Sequence, residues 1–325
     1  MSTQPALVDN AQTVLAGVQK QLLGAHFLLL VRLLRKSARR DYQSFDPHNM
    51  LERRIVLALY RIGQGRVSEL ALHLGNDVAQ VSRALTAMRK QDLVRRGRQR
   101  DPHRLTDRGY ELGGMMDAVE LRRELALTQG LEPLQMFELA GLLINLLQNA
   151  SAILVAELAK TRDGTDEATE VVAPDLPPSM EIHSRVQPLI ATLTTTISRA
   201  ATAAYKRLTG ISNFEWRLLV NIAERPGLRF TDIVMHVDSD KAQVSRTLDA
   251  LVSGGLVARG KAGPSESVRF AISSRGDRLH DIMRDDALRR NALLAADLTA
   301  AQRQRLQSYL DLLIANASAM CADLD

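Results

Sequence analysis

The sequence predicts a mainly α-helical protein with small β-ribbons, built as two tandem copies of one unit. Three observations lead there. Aromatic residues fill only 4% of the 325 positions while hydrophobic residues reach 46%. That balance suits helix packed on helix better than strands rich in β-branched and aromatic residues. Glu52–Gly97 aligns without a gap with Glu215–Gly260, at an offset of 163 and with 16 identities in 46 positions. Past Gly97 the offset becomes 167, so Leu121-Arg122-Arg123 meets Leu288-Arg289-Arg290 and Asn149-Ala150-Ser151-Ala152 meets Asn316-Ala317-Ser318-Ala319. A period this long, present twice, is a duplicated domain rather than a solenoid.

The expected division is copy one over 1–160, a flexible acidic linker over 161–180 and copy two over 181–325. The linker holds Asp163, Asp166, Glu167, Glu170 and Asp175 against Arg162 alone, with three prolines, a composition without apolar periodicity. The whole chain carries a net charge of +5, which fits a polyanionic partner. Its single cysteine, Cys321, excludes an internal disulfide framework and points to a reducing, cytoplasmic setting. Leu22–Val31 is too short and too closely followed by Arg32, Arg35 and Lys36 to read as a membrane span or signal peptide.

Within copy one, residues 12–40 form a first apolar-rich helix. Residues 49–62 form a second, with Leu51, Ile55, Val56 and Leu59 on one face. A short third helix over 68–74 ends at Gly75-Asn76. Asp77 then reads as an N-cap with Gln80 three residues on, and Asp240 and Gln243 repeat this capping-box spacing. In the helix that Asp77 opens, Val81, Leu85 and Met88 share the buried stripe. Ala79, Ser82, Arg83, Thr86 and Lys90 face outward, as do Ala242, Ser245, Arg246, Asp249 and Ser253 in copy two. Gly254-Gly255 provides a left-handed end, where copy one has Gln91-Asp92.

A β-ribbon follows. Leu93-Val94 pairs with about His103–Leu105, and Leu256-Val257 with Val268–Ile272. Seven basic residues lie between Arg89 and Arg104. Long helices close each unit over about 107–128 and 132–158, then 274–296 and 300–320. Pro133 suits a first helical turn, and Thr299 with Gln302 forms a capping box. Gly113-Gly114 inside a helix marks a close approach or a bend.

Short helix, turn, polar-faced helix and basic ribbon make a winged helix-turn-helix. With long helices on either side, the pattern resembles the MarR family of bacterial regulators. The resemblance rests on Glu69-Leu70-Ala71, Val81-Ser82-Arg83-Ala84-Leu85, Leu93-Val94-Arg95-Arg96 and Leu105-Thr106-Asp107-Arg108-Gly109. In copy two it rests on Val244–Leu248, Gly255–Arg259 and Ile272-Ser273-Ser274-Arg275-Gly276. It implies tandem winged helix-turn-helix domains forming an intramolecular pseudo-dimer, a monomeric chain that binds a pseudo-palindromic operator in double-stranded DNA.

Gln80, Ser82, Arg83, Thr86 and Lys90 would meet base edges and phosphates, with Arg98 and Arg100 of the wing entering a minor groove. In copy two Lys241, Gln243, Ser245, Arg246 and Lys261 take those places, although its wing tip has no arginine. The resemblance also implies a small aromatic or phenolic effector between the dimer helices and the DNA-binding lobe, with His26 and Trp216 placed to line its site. No nucleophile, phosphate-loop or metal-ligand pattern is present, so neither enzyme activity nor a cofactor or metal is expected. His73 and His236 have no second ligand at metal spacing. The alternative is a ligand- or partner-binding protein of the same fold whose copy two has lost DNA binding.

Overall fold

The computed structural model describes residues 15, 17–42, 49–98, 101–162, 185–237, 239–260 and 267–322. Most of the expected linker and both wing tips lie outside them. The first element is a 3-10 turn over Gly17–Gln21, followed by helix α1, Leu23–Asp41. The expected helix over 12–40 is therefore broken at Leu22. Gly17 takes φ +43 in the turn before α1.

Helices α2 (Met50–Ile62), α3 (Val67–Leu74) and α4 (Val78–Lys90) come next. Strands β1 (Val94–Arg95) and β2 (Arg104–Leu105) then lead to α5 (Asp107–Leu127) and α6 (Pro133–Arg162). Asn49 caps α2 in a reciprocal capping box with Glu52. The element order recurs as α7 (Val186–Thr209), α8 (Asn213–Glu224), β3 (Leu228–Arg229), α9 (Phe230–Val237), α10 (Lys241–Ser253), β4 (Val257–Gly260), β5 (Arg269–Ile272), α11 (Ser274–Leu294) and α12 (Ala300–Ala322).

The strand β3 is an addition to the expected ribbon. It pairs antiparallel with β5 through Leu228–Phe270 and Arg229–Arg269, beside the β4–β5 pair. Copy one keeps only a single bridge there, Gly65 to His103. Pro133 opens α6 as expected, and Thr299 and Gln302 exchange the two bonds of a capping box before α12. The Gly113-Gly114 pair is a close approach: a Cβ at Gly113 would stand 2.8 Å from the Tyr60 ring.

Apolar side chains segregate into three cores. One lies under α2–α4 and the first wing, around Ile55, Leu59, Val81, Leu85 and Met88. A second lies under α8–α10 and the second wing, around Trp216, Leu219, Val244 and Leu248, and it takes in Val18 and Leu22 from the N-terminal turn. The third gathers residues of α1, α6, α7 and α12, including Phe27, Leu143, Ile190 and Leu310. Here α6 packs along α7, and α12 packs along α1. Helix Pro133–Lys160, rather than Leu22–Val31, is long and apolar enough to cross a membrane by length and composition. Its leucines 139, 142, 143, 146 and 147 belong to this third core.

Polar contacts tie each lobe to a helix from the other half of the chain. The buried carboxylate of Glu124 accepts the backbone N–H groups of Val186 and Gln187, capping α7. Asp117 accepts from both Arg61 and Arg185, at 2.8 Å and 2.7 Å. In the other direction the Val18 N–H donates to Glu224 and the Leu23 N–H to Asn291.

Candidate DNA interface and adjoining cavities

Helix α4 presents its apolar stripe inward and a polar face to solvent. Val81, Leu85 and Met88 are buried, whereas Gln80, Ser82, Arg83, Thr86 and Lys90 are exposed. In α10, Val244, Leu248 and Leu251 are buried, and Lys241, Gln243, Ser245 and Arg246 are exposed. Asp77 caps α4 by accepting from the N–H of Ala79 at 2.8 Å, and Asp240 caps α10 through Gln243 at 3.1 Å. The expected capping box at Asp77 is only half formed. The Gln80 side chain accepts instead from Asn76 Nδ2.

Each polar-faced helix is held at its far end by the same device. Thr106 Oγ1 donates to Asp92 O and Ser273 Oγ to Gly255 O, both at 2.6 Å. Arg108 and Arg275 donate to the carbonyls of Gln91 and Gly254. Gly109 and Gly276 permit this closure, because a Cβ at either position would collide with the carbonyl oxygen of Leu93 or Leu256. The tight joint fixes the angle between the polar-faced helix and its wing.

Arg98 is exposed in the first wing, and its backbone N–H donates to Asp101. Arg89, Arg95 and Arg96 line an open groove between the end of α4 and β1, a convergence that the basic run in the sequence foreshadows. Arg100 and Lys261 lie outside the described residues. Two details separate the copies. Thr86 turns its hydroxyl back to Ser82 O, at 2.9 Å. Its counterpart Asp249 instead faces Arg259 on β4, at 3.8 Å.

Two cavities lie where the lobes meet the central helices. The first-lobe cavity measures ≈ 350 Å³ and is lined by α1, α2, α7 and by Glu120 and Arg123 of α5. The second-lobe cavity measures ≈ 130 Å³ and lies among α1, α7, α8 and α11. Trp216 lines the smaller one, packed 5.6 Å from Tyr205 and stacked 5.3 Å from His280. His26 lines neither: it is buried, and its Nδ1 lies 3.0 Å from Leu22 O. Sequence reasoning did not single out Tyr42, Arg53, Arg54 and Arg123, although Arg54 and Arg123 recur as Arg217 and Arg290 in the internal alignment.

Arg54 is partly buried and donates to Leu74 O at 2.7 Å, Asn76 Oδ1 at 3.1 Å and Thr192 Oγ1 at 3.3 Å. Desolvation, with the like charge of Arg35, lowers its pKa to about 10. Arg53 stacks over the Tyr42 ring at 4.6 Å. Burial, together with the Glu120 carboxylate that accepts its hydroxyl proton, raises the pKa of Tyr42. In the second lobe Arg290 is clamped by Asp286 at 2.7 Å while lying over Tyr205. Burial lowers the pKa of His236, which lines the smaller cavity, and the charge of Arg225 adds to that shift. Among the described residues no group of three or more His, Cys, Asp or Glu side chains could hold a metal ion.

No curated protein matches the chain. A solved MarR/EmrR family transcriptional regulator from Acinetobacter sp. ADP1 is 21% identical, over 36% of this chain and 82% of that one, with a TM-score of 0.33. The family described as MarR matches residues 211–262. That stretch spans α8, β3, α9, α10 and β4, so the similarity to that family falls on the second winged helix.

Proposed function

We propose that the chain is a transcription regulator that grips duplex DNA through α4 and α10 and their wings, as a single-chain pseudo-dimer. The observation that carries this reading is the twin exposed faces Gln80–Ser82–Arg83 and Gln243–Ser245–Arg246, each on a helix opened by a capping aspartate. Exposed Arg and Gln side chains on a short helix reach base edges in the major groove. The groove of Arg89, Arg95 and Arg96 adds phosphate neutralisation beside α4. The cavities between lobes and central helices supply room for an effector, a small aromatic or phenolic acid in this reading.

The test is a gel shift of genomic fragments at stated salt. A specific subset of fragments is retained, and Arg83→Ala costs about 1–3 kcal/mol of binding while leaving the melting temperature unchanged. Uniform retention of all fragments would overturn the reading. In a second reading copy two does not bind DNA. It draws on Asp249, whose carboxylate occupies the exposed face beside Arg259. In that case Arg246→Ala leaves fragment binding unaltered.

A further inference from the structure

The two halves hold each other through a repeated joint. At the start of α1 the Leu23 N–H donates to Asn291 of α11, at 2.9 Å. At the start of α7 the Val186 and Gln187 N–H groups donate to Glu124 of α5. Asn291 and Glu124 are counterparts in the internal alignment, and Leu23 and Val186 stand at the offset of 163. Each half thus offers the same helix position as a cap for the first helix of the other.

The approach to the capped helix is built differently at the two joints. Before α1, the turn Gly17–Gln21 lies on the second lobe. Val18 is buried in that lobe's core, and Leu22 and Leu288 pack against the same core. The Val18 N–H donates to Glu224 at 3.3 Å, and a Cβ on Gly17 would stand 2.0 Å from the Glu224 carboxylate. On the first lobe the counterpart of Leu288 is Leu121, which is 46% exposed, with Leu125 one turn on at 64%. Leu121 lies four residues after Asp117 and three before Glu124, on one face of α5. Those two carboxylates hold Arg185 and Val186, so the chain enters α7 directly past Leu121.

Charge points to the same segment. Arg61 and Arg185 share the single carboxylate of Asp117, which leaves one positive charge in excess. Arg61 is the counterpart of Glu224, and the residue at the place of Val18 is Glu181, flanked by Met180 and Ile182. Where the second joint sets a backbone N–H against Glu224, the first has an arginine on the lobe and a glutamate on the approaching chain. Pro177 and Pro178 restrict the chain just before it, which reduces the backbone entropy lost on docking.

We propose that residues 180–184 dock on the first lobe as Gly17–Gln21 does on the second, with the Glu181 carboxylate on Arg61 and with Met180 and Ile182 over Leu121 and Leu125. The connection between the copies is then a clasp as well as a tether. Each lobe is held by the residues that lead into the first helix of the other half.

Thiol labelling of the full chain tests this with no DNA present. In a Cys321→Ser background, Leu121→Cys is compared with Met115→Cys on the same helix. The native residues there are 46% and 54% exposed, so with no docked segment the two thiols would label at similar rates. With the segment docked, position 121 should label about 10-fold or more slowly than position 115. Glu181→Lys and Ile182→Ser should each bring the two rates together, while Glu167→Lys leaves the difference in place. Because Leu121→Cys trims the contact it reports on, a second measurement keeps the native surface. Glu181→Gln should lower the melting temperature by about 2–4 °C, and the drop should vanish in an Arg61→Gln background. Equal labelling at 115 and 121, or a Glu181→Gln drop indifferent to Arg61, would overturn the proposal. So would protection of position 121 that survives both substitutions; if that protection fades on dilution, the cover is a second copy of the chain.

Discussion

Asp92 ends the turn after α4 at φ +54, and among the described residues it is the one non-glycine with positive φ. Its counterpart Gly255 sits at φ +68. Side chains other than glycine are strained there, so Asp92→Gly should stabilise the protein by about 0.5–1 kcal/mol in urea unfolding. The bond from Thr106 to the Asp92 carbonyl uses no side-chain atom of Asp92 and survives the change. A second residue-level outcome concerns His280, buried against Trp216, the only tryptophan of the chain. Desolvation lowers its pKa, against the pull of Glu224 and Asp281. The unfolded chain therefore binds that proton more readily, and stability drops as pH falls from about 6.5 through the folded-state value. His236 adds a change of the same sign. Melting followed by Trp216 fluorescence should show a lower transition at about pH 5.5 than at pH 7.5, and His280→Phe should narrow that gap. An unchanged gap would place the sensitivity elsewhere.

At the scale of elements, α4 and α10 share a frame and differ in charge. Asp249 lies on the exposed polar face of α10, 3.8 Å from Arg259 of the wing. Asp249→Ala should remove a repulsive carboxylate and release Arg259. DNA affinity should rise, and the slope of log affinity against log salt should steepen by about one unit. A slope unchanged by the substitution would place Arg259 outside the phosphate contacts. The inward stripe Val81–Leu85–Met88 was legible in the sequence because an apolar period of 3.6 needs only local chemistry. The strand Leu228–Arg229 was not: two residues carry no alternation. Nor was the break at Leu22, since the turn before it is set by packing against a lobe nearly two hundred residues away. The cavity around Arg54 was hidden for the same reason. Its walls come from both halves of the chain, so no window of sequence contains it.

For the whole molecule, the third core joins α1 to α12 and α6 to α7, the packing on which the proposed single-chain pseudo-dimer rests. Light scattering should accordingly report a single chain in solution, and titration one chain per DNA site. A stable dimer of chains would contradict the pseudo-dimer reading. The element order of a single copy was readable from periodicity and caps. The exchange of helices between halves was expected only from resemblance, because a local pattern does not say which neighbour a helix chooses.

The N-terminal turn bears on how such a chain is made. Val18 and Leu22 complete the core of the second lobe, the Val18 N–H meets Glu224, and Cys321 Sγ closes on Leu33 O across 288 residues of chain. The first of these segments to leave a ribosome thus reach their native partners only after much of the polypeptide has followed. Until then Leu22, Phe27 and Leu30 stay uncovered, and long-separated contacts of this kind form slowly. The N-terminal turn and α1 are therefore the segments of the newborn chain that should most need shielding while synthesis continues.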